Sequence, residues 1–192
     1  MKIGQATQTA AALEPATRVA KGGNAMSARN LIETLATVPD GSPLAAALGE
    51  RAQIMALSQA SHDAVLQPRE PGGLSHGERA ALAARMAHWN RDATLAAHYR
   101  ELLDRTGASA ALAAIASGVD AGETDADARL AAIIRHADML TLSPRDATRA
   151  DIEALVAAGL AEPDIVRLAE LAAFVNYQVR VIAGLRLLER LK

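Results

Sequence analysis

The stretch Leu74-Ser75-His76-Gly77-Glu78-Arg79-Ala80-Ala81-Leu82-Ala83-Ala84-Arg85-Met86-Ala87-His88-Trp89 runs, after Asn90-Arg91-Asp92, into Ala93-Thr94-Leu95-Ala96-Ala97-His98-Tyr99-Arg100-Glu101-Leu102-Leu103. Ser75 with Glu78 three residues later is a capping-box pattern, each side chain satisfying a backbone N–H of the first turn. Leu82, Met86 and Trp89 then recur at helical spacing and predict a helix through Trp89. Asp92 is a natural cap for the next helix, whose Leu95, His98 and Leu102 share a stripe and whose end is set by Gly107.

The same punctuation extends outward in both directions. An alanine-rich helix over about 109–117 stops at Gly118, and Thr124 with Asp127 caps another that carries Leu130, Ile133, Ile134, Ala137 and Leu140. Thr148 with Asp151 caps a short helix ending at Gly159, and Pro163 starts a last long helix to about 190. Upstream, Asn30 with Glu33 opens a short helix, and Pro39-Asp40-Gly41 is a turn. Ser42-Pro43 then starts a helix expected to run unbroken to Gln67, with Leu44, Leu48, Ala52, Met55, His62 and Leu66 on one stripe. Residues 1–26 are poor in large apolar side chains and are interrupted by Gly22-Gly23-Asn24. They are expected to form an extension with a short helix around 10–20, and Met26 is an alternative start. The chain so divides into the extension 1–26 and one helical domain 27–192, with N-terminal helices in 27–70 and a core in 72–192.

Composition agrees. Of 192 residues, 46 are alanine and only Trp89, Tyr99, Phe174 and Tyr177 are aromatic, which favours helices over strands. No period-2 alternation persists, so the fold class is all-α, with about seven to nine helices. A net charge of −2 with both signs interspersed sets no basic face aside for nucleic acid. The absence of cysteine excludes disulfides, thiolate metal sites and thiol redox chemistry within this chain. No apolar stretch reads as reaching the ~20 residues that span a bilayer, and no signal core is visible, so a cytoplasmic location without membrane contact is expected. Arginine outnumbers lysine 17 to three, which together with the alanine points to a GC-rich, bacterial coding sequence.

The order of segments is also familiar. Leu74-Ser75-His76-Gly77-Glu78-Arg79 through His98 is followed by a helix and Thr141-Leu142-Ser143-Pro144. Beyond these come Asp151-Ile152-Glu153-Ala154-Leu155 and Phe174-Val175-Asn176-Tyr177-Gln178-Val179-Arg180. Over roughly residues 42–188 this resembles the AhpD-like, carboxymuconolactone decarboxylase superfamily, and within it the peroxidase-related branch with its cysteine-lacking members. The resemblance implies a multihelical AhpD-like fold. AhpD-type peroxidases carry a proton-relay glutamate followed by C-x-x-C-x-x-x-H. His98 matches the motif histidine, Glu78 the relay glutamate, and the two cysteine positions fall on Arg91 and Thr94. A guanidinium and an alcohol cannot cycle electrons, so thiol peroxidase chemistry is not expected.

What the resemblance leaves is acid–base chemistry by Glu78 and His98 on a small organic substrate, or simple binding of such a ligand. Trp89, Arg91, Thr94 and Tyr99 would shape the pocket, with Arg91 holding a substrate carboxylate. Each has a plainer reading: Glu78 as a capping residue, His98 as a core histidine, Trp89 and Tyr99 as packing. His62, His76, His88 and His136 lack metal-ligand spacing, so neither metal nor cofactor is expected. The resemblance also implies a homo-oligomer (dimer, trimer or hexamer). The other reading of function is therefore a non-enzymatic oligomer subunit, or a partner of a cysteine-bearing paralogue. The residues leave open whether the chain is an enzyme.

Overall fold

A computed structural model describes residues 30–191, and the regular structure of those residues is helical, with nine α-helices, two 3₁₀ turns and no strand. The helices are α1 (Leu31–Leu35), α2 (Pro43–Gly49), α3 (Ala52–Leu66), α4 (His76–Trp89), α5 (Ala93–Asp104), α6 (Ala110–Ala116), α7 (Ala128–Leu142), α8 (Arg149–Ala157) and α9 (Glu162–Arg190). The extension 1–26, its short helix and the question of Met26 lie outside the described residues.

Most helix starts obey the local chemistry. Ser75 and Glu78 close both arms of the capping box on α4, and Thr148 with Asp151 does so on α8. Asp92 caps α5 through Leu95 N–H at 3.0 Å. Two expectations are corrected. The segment from Ser42 to Gln67 is two helices, because Gly49 ends α2 and Arg51 leaves helical geometry at φ −108°, ψ 22° before α3 begins. Before α7 the cap is Asp127 itself, whose Oδ1 accepts Leu130 N–H at 2.7 Å, while Thr124 closes a 3₁₀ turn onto Ala121.

Helix α4 is the hub. It is buried along most of its length and packs against α3, α5, α6, α7 and α9. Ala80, Ala81, Ala83, Ala84 and Ala87 make this approach possible, since a helix surrounded on all sides needs small side chains where neighbours cross. Two arginines are buried with them. Arg79, 2% exposed, donates to the carbonyls of Leu74, Val65 and Pro71 at 2.8–2.9 Å. Arg85, 1% exposed, forms a fork with both oxygens of Asp138 on α7, each at 2.7 Å, and donates to Val119 O at 2.6 Å. Trp89 Nε1–H shares Asp138 at 2.8 Å, and the guanidinium lies 5.3 Å from the indole ring centre.

Helix α9 packs against α1, α3, α4, α7 and α8, and contributes Leu168, Leu171, Val175 and Ile182 to the core. By length and composition alone it could cross a bilayer, which corrects the expectation that no stretch qualifies. A core helix of a bundle passes the same test, and buried Asn176 and Gln178 are satisfied by protein partners: Asn176 by Asn90 and Thr141, Gln178 by Tyr99.

Asp138→Ala leaves the buried Arg85 guanidinium without its counter-charge and should cost about 3–5 kcal/mol in urea unfolding, whereas Arg85→Met with Asp138→Leu should recover most of that loss. A double variant as unstable as the single one would show that the pair does more than neutralise itself.

Candidate functional site

His98 stands in the second turn of α5 and meets His62 from α3, their Nε2 atoms 3.3 Å apart. The other nitrogen of His62, Nδ1, lies 3.0 Å from Asp63 Oδ1. A carboxylate accepts the Nδ1–H of a neutral imidazole, which leaves the Nε2 lone pair of His62 to accept Nε2–H from His98. The result is a directed chain from His98 through His62 to Asp63, steadied by Gln59 Nε2 donating to the same Asp63 oxygen at 3.0 Å.

The pair is built by packing. His62 is buried, stacks on Tyr99 (ring centres 6.2 Å, planes 12° apart) and meets Phe174 edge-on at 6.2 Å. Tyr99 is buried and donates its hydroxyl to Gln178 of α9. Burial, with the charge of Asp92 behind it, pushes the Tyr99 hydroxyl far above its ordinary value, so it remains a donor. Burial also lowers the His98 pKa from 6.5 to about 4, helped by His62 and by the cation of Arg105. At neutral pH His98 is an uncharged imidazole.

Both imidazoles line a cleft of about 850 Å³ between α1, α2, α3 and α5. Val38, Leu48 and Met55 give it apolar walls, and Glu33, Asp40 and Gln59 give it polar ones. None of its described lining residues is lysine or arginine. Among the described residues, no three His, Asp or Glu side chains are gathered so as to hold a metal ion.

The other candidates lie elsewhere. Glu78 Oε2 accepts from the Ser75 N–H and hydroxyl at 2.7 and 2.9 Å, and Oε1 from Arg129 at 2.6 Å. It stands 12 residues before Asn90, and His98 six after Asp92. In two antiparallel helices that difference is an axial offset of roughly 9 Å. Glu78 does not line the cleft, and no acid–base pair with His98 forms; its oxygens are committed to the helix start and to α7. Arg91 is exposed and does not line the cleft either, so it cannot present a carboxylate to His98. It occupies the C′ position of a Schellman turn at φ +60°, its N–H on His88 O and that of Asp92 on Ala87 O. Thr94 is exposed in the first turn of α5, and Trp89 is committed to Asp138. Of the six residues singled out by sequence, the structure gathers His98 with Tyr99 behind its partner. The residue missed was His62, whose one signal was a polar ring on the stripe of Met55 and Leu66.

Comparison with known proteins gives fold-level matches. An uncharacterized peroxidase-related protein from Silicibacter sp. TM1040 matches with a TM-score of 0.59 at 21% identity, over 69% of this chain and 68% of that one. An uncharacterized peroxidase-related protein from Ralstonia eutropha JMP134, described as an alkylhydroperoxidase AhpD core, matches with a TM-score of 0.61 at 22% identity, over 72% and 71%. No protein-family model and no curated protein matches. The chain therefore has the AhpD-like helical fold, and it carries that fold without a single cysteine.

The His98 pKa fixes a pH dependence. Its folded value lies below its ordinary one, so its contribution to stability is complete above about pH 6.5 and is lost as pH falls toward 4. In an NMR titration the His98 Hε1 signal should stay at its neutral position through pH 5.5; a midpoint near 6.5 would contradict the burial described.

Proposed function

We propose that this chain is a cysteine-free AhpD-like protein whose cleft takes up a small, uncharged organic molecule, with His98 moving a proton on it. The observation that carries the reading is the His98–His62 contact, with Asp63 behind it, on the wall of a cleft of about 850 Å³. A lone imidazole with a pKa of about 4 is a weak base. The relay changes that: when His98 gains a proton at Nδ1, it passes its Nε2 proton to His62, and the positive charge comes to rest beside the Asp63 carboxylate.

The lining argues for an uncharged ligand. Glu33 faces the cleft and its described lining residues include no lysine or arginine, so a keto acid would enter against like charge, whereas a neutral lactone would not. Glu78 has no part in this reading.

With a panel of neutral lactones, turnover should fall about 10²–10⁴-fold in His98→Asn and stay within a few-fold of wild type in Glu78→Gln. Equal rates in wild type and His98→Asn would remove the catalytic claim.

A second reading, self-association, has its own support. Antiparallel α3 and α9 are joined by Ser58 Oγ and Tyr177 Oη at 3.0 Å, and their outer faces expose Ile54, Leu57, Tyr177, Leu187 and Leu188. Apolar side chains of this size on adjoining helices suit a second copy of the chain. Light scattering on micromolar protein should give a mass above one chain, reduced by Leu57→Glu with Leu188→Glu. A strictly monomeric wild type would count against it and turn attention to a cysteine-bearing partner on the same face.

A further inference from the structure

We propose that His62 and His98 together bind one exchangeable divalent transition-metal ion of the zinc type through their two Nε2 atoms. The ion shares this imidazole pair with the proposed relay but needs no substrate, so each reading can fail without the other.

Spacing favours the ion first. An ion held by two imidazole nitrogens at about 2.0–2.1 Å, with a tetrahedral angle between them, sets those nitrogens about 3.3–3.4 Å apart. The two Nε2 atoms are 3.3 Å apart, and both residues line the cleft. They come from separate helices, α3 and α5, and the ring of His62 is fixed between Tyr99 and Phe174. The bite is thus set by packing before any ion arrives.

The outer shell favours it too. Metal-bound histidines usually donate their other ring N–H to a carboxylate, which orients the ring and raises its basicity. His62 Nδ1 has that partner in Asp63 at 3.0 Å, and Gln59 in turn holds Asp63. The lining adds a suitable field, since Glu33 contributes negative charge and the described lining residues include no cation. His98 already directs its Nε2 at His62. On binding, its proton moves from Nε2 to Nδ1, both rings coordinate uncharged, and no net proton is released.

Two protein ligands are fewer than the four of structural zinc sites or the three of catalytic ones, so water from the cleft completes the shell and the ion exchanges. Because the ion takes both Nε2 positions, it blocks proton transfer between them. The sequence expectation of no metal rested on spacing along the chain, which cannot register two histidines 36 residues apart.

The test is calorimetric titration of the full chain with Zn²⁺ at pH 7.5 in a non-chelating buffer, with Mg²⁺ as control. Wild type and His76→Gln should take up one Zn²⁺ per chain and no Mg²⁺. His62→Gln and His98→Gln should each bind at least tenfold more weakly, and Asp63→Asn roughly tenfold more weakly. The Asp63 side chain is 65% exposed, so its variant keeps the core intact. Should an imidazole variant lose helical circular dichroism, the decision passes to NMR of wild type, where Zn²⁺ should shift the His62 and His98 ring signals together. No zinc uptake by wild type, uptake unchanged in both imidazole variants, or ring signals that do not move would each overturn the site. Lactone turnover dependent on His98 but without zinc uptake would sink the metal site alone; zinc uptake together with no turnover by chelator-treated, zinc-free protein would sink the relay alone.

Discussion

The burial of α4 on all sides is the constraint on which the remaining architecture depends. Alanine lets neighbouring helices approach, but it buries little area per residue and gives few features to fix their rotation. Arg79 and Arg85 supply those features. Val65 lies in the last turn of α3, where carbonyls have no partner within their own helix, and Ile115 in the last turn of α6, where its carbonyl also accepts the Gly118 N–H at 3.0 Å. Arg79 donates to Val65 O at 2.9 Å and Arg85 to Ile115 O at 3.3 Å, so each guanidinium places positive charge at the negative end of a neighbouring helix. One helix thereby positions the ends of two others, and its bond to Asp138 positions a third.

The cleft inherits this order. His62 stands one turn before the Arg79-bound end of α3. His98 is set by the other end of α4, where Arg91 turns the chain in the left-handed region at φ +60°. A side chain there costs about 1 kcal/mol or more relative to glycine, and the contacts of the neighbouring Asp92 offset that strain. Asp92 caps α5 and is itself held by Arg186 of α9 at 2.8 Å, while Arg186 also donates to Leu35 O at the end of α1. That knot fixes the rotation of α5, so its stripe of Leu95, Tyr99 and Leu102 faces inward and His98 turns toward α3.

Legibility in the chain divides along physical lines. Ser75 with Glu78, Asp92, and Thr148 with Asp151 were legible because a cap acts within three residues of itself. The break at Glu50-Arg51 was not, since the apolar stripe continues across it and the interruption lies in one backbone conformation. Glu78 shows how the same letters can serve two ends: its spacing from Ser75 matched a cap, its place before His98 matched a relay, and the structure commits its oxygens to the cap and to Arg129. His62 stood in plain view on an apolar stripe, but its meaning depends on a residue 36 positions away on another helix.

The absence of cysteine also fits this arrangement. A reactive thiolate needs positive surroundings, and the first turn of a helix normally provides them. In this chain the first turn of α5 already holds an anion, because the Asp92 carboxylate accepts Leu95 N–H at 3.0 Å and pairs with Arg186. A thiolate at position 94 would lie in that turn beside the Asp92 carboxylate, which disfavours its charged form. Placing cysteines at positions 91 and 94 would therefore not by itself create a low-pKa pair. The polar pair of the cleft lies one turn further along α5, where the imidazole of His98 meets that of His62 beyond the reach of the helix end.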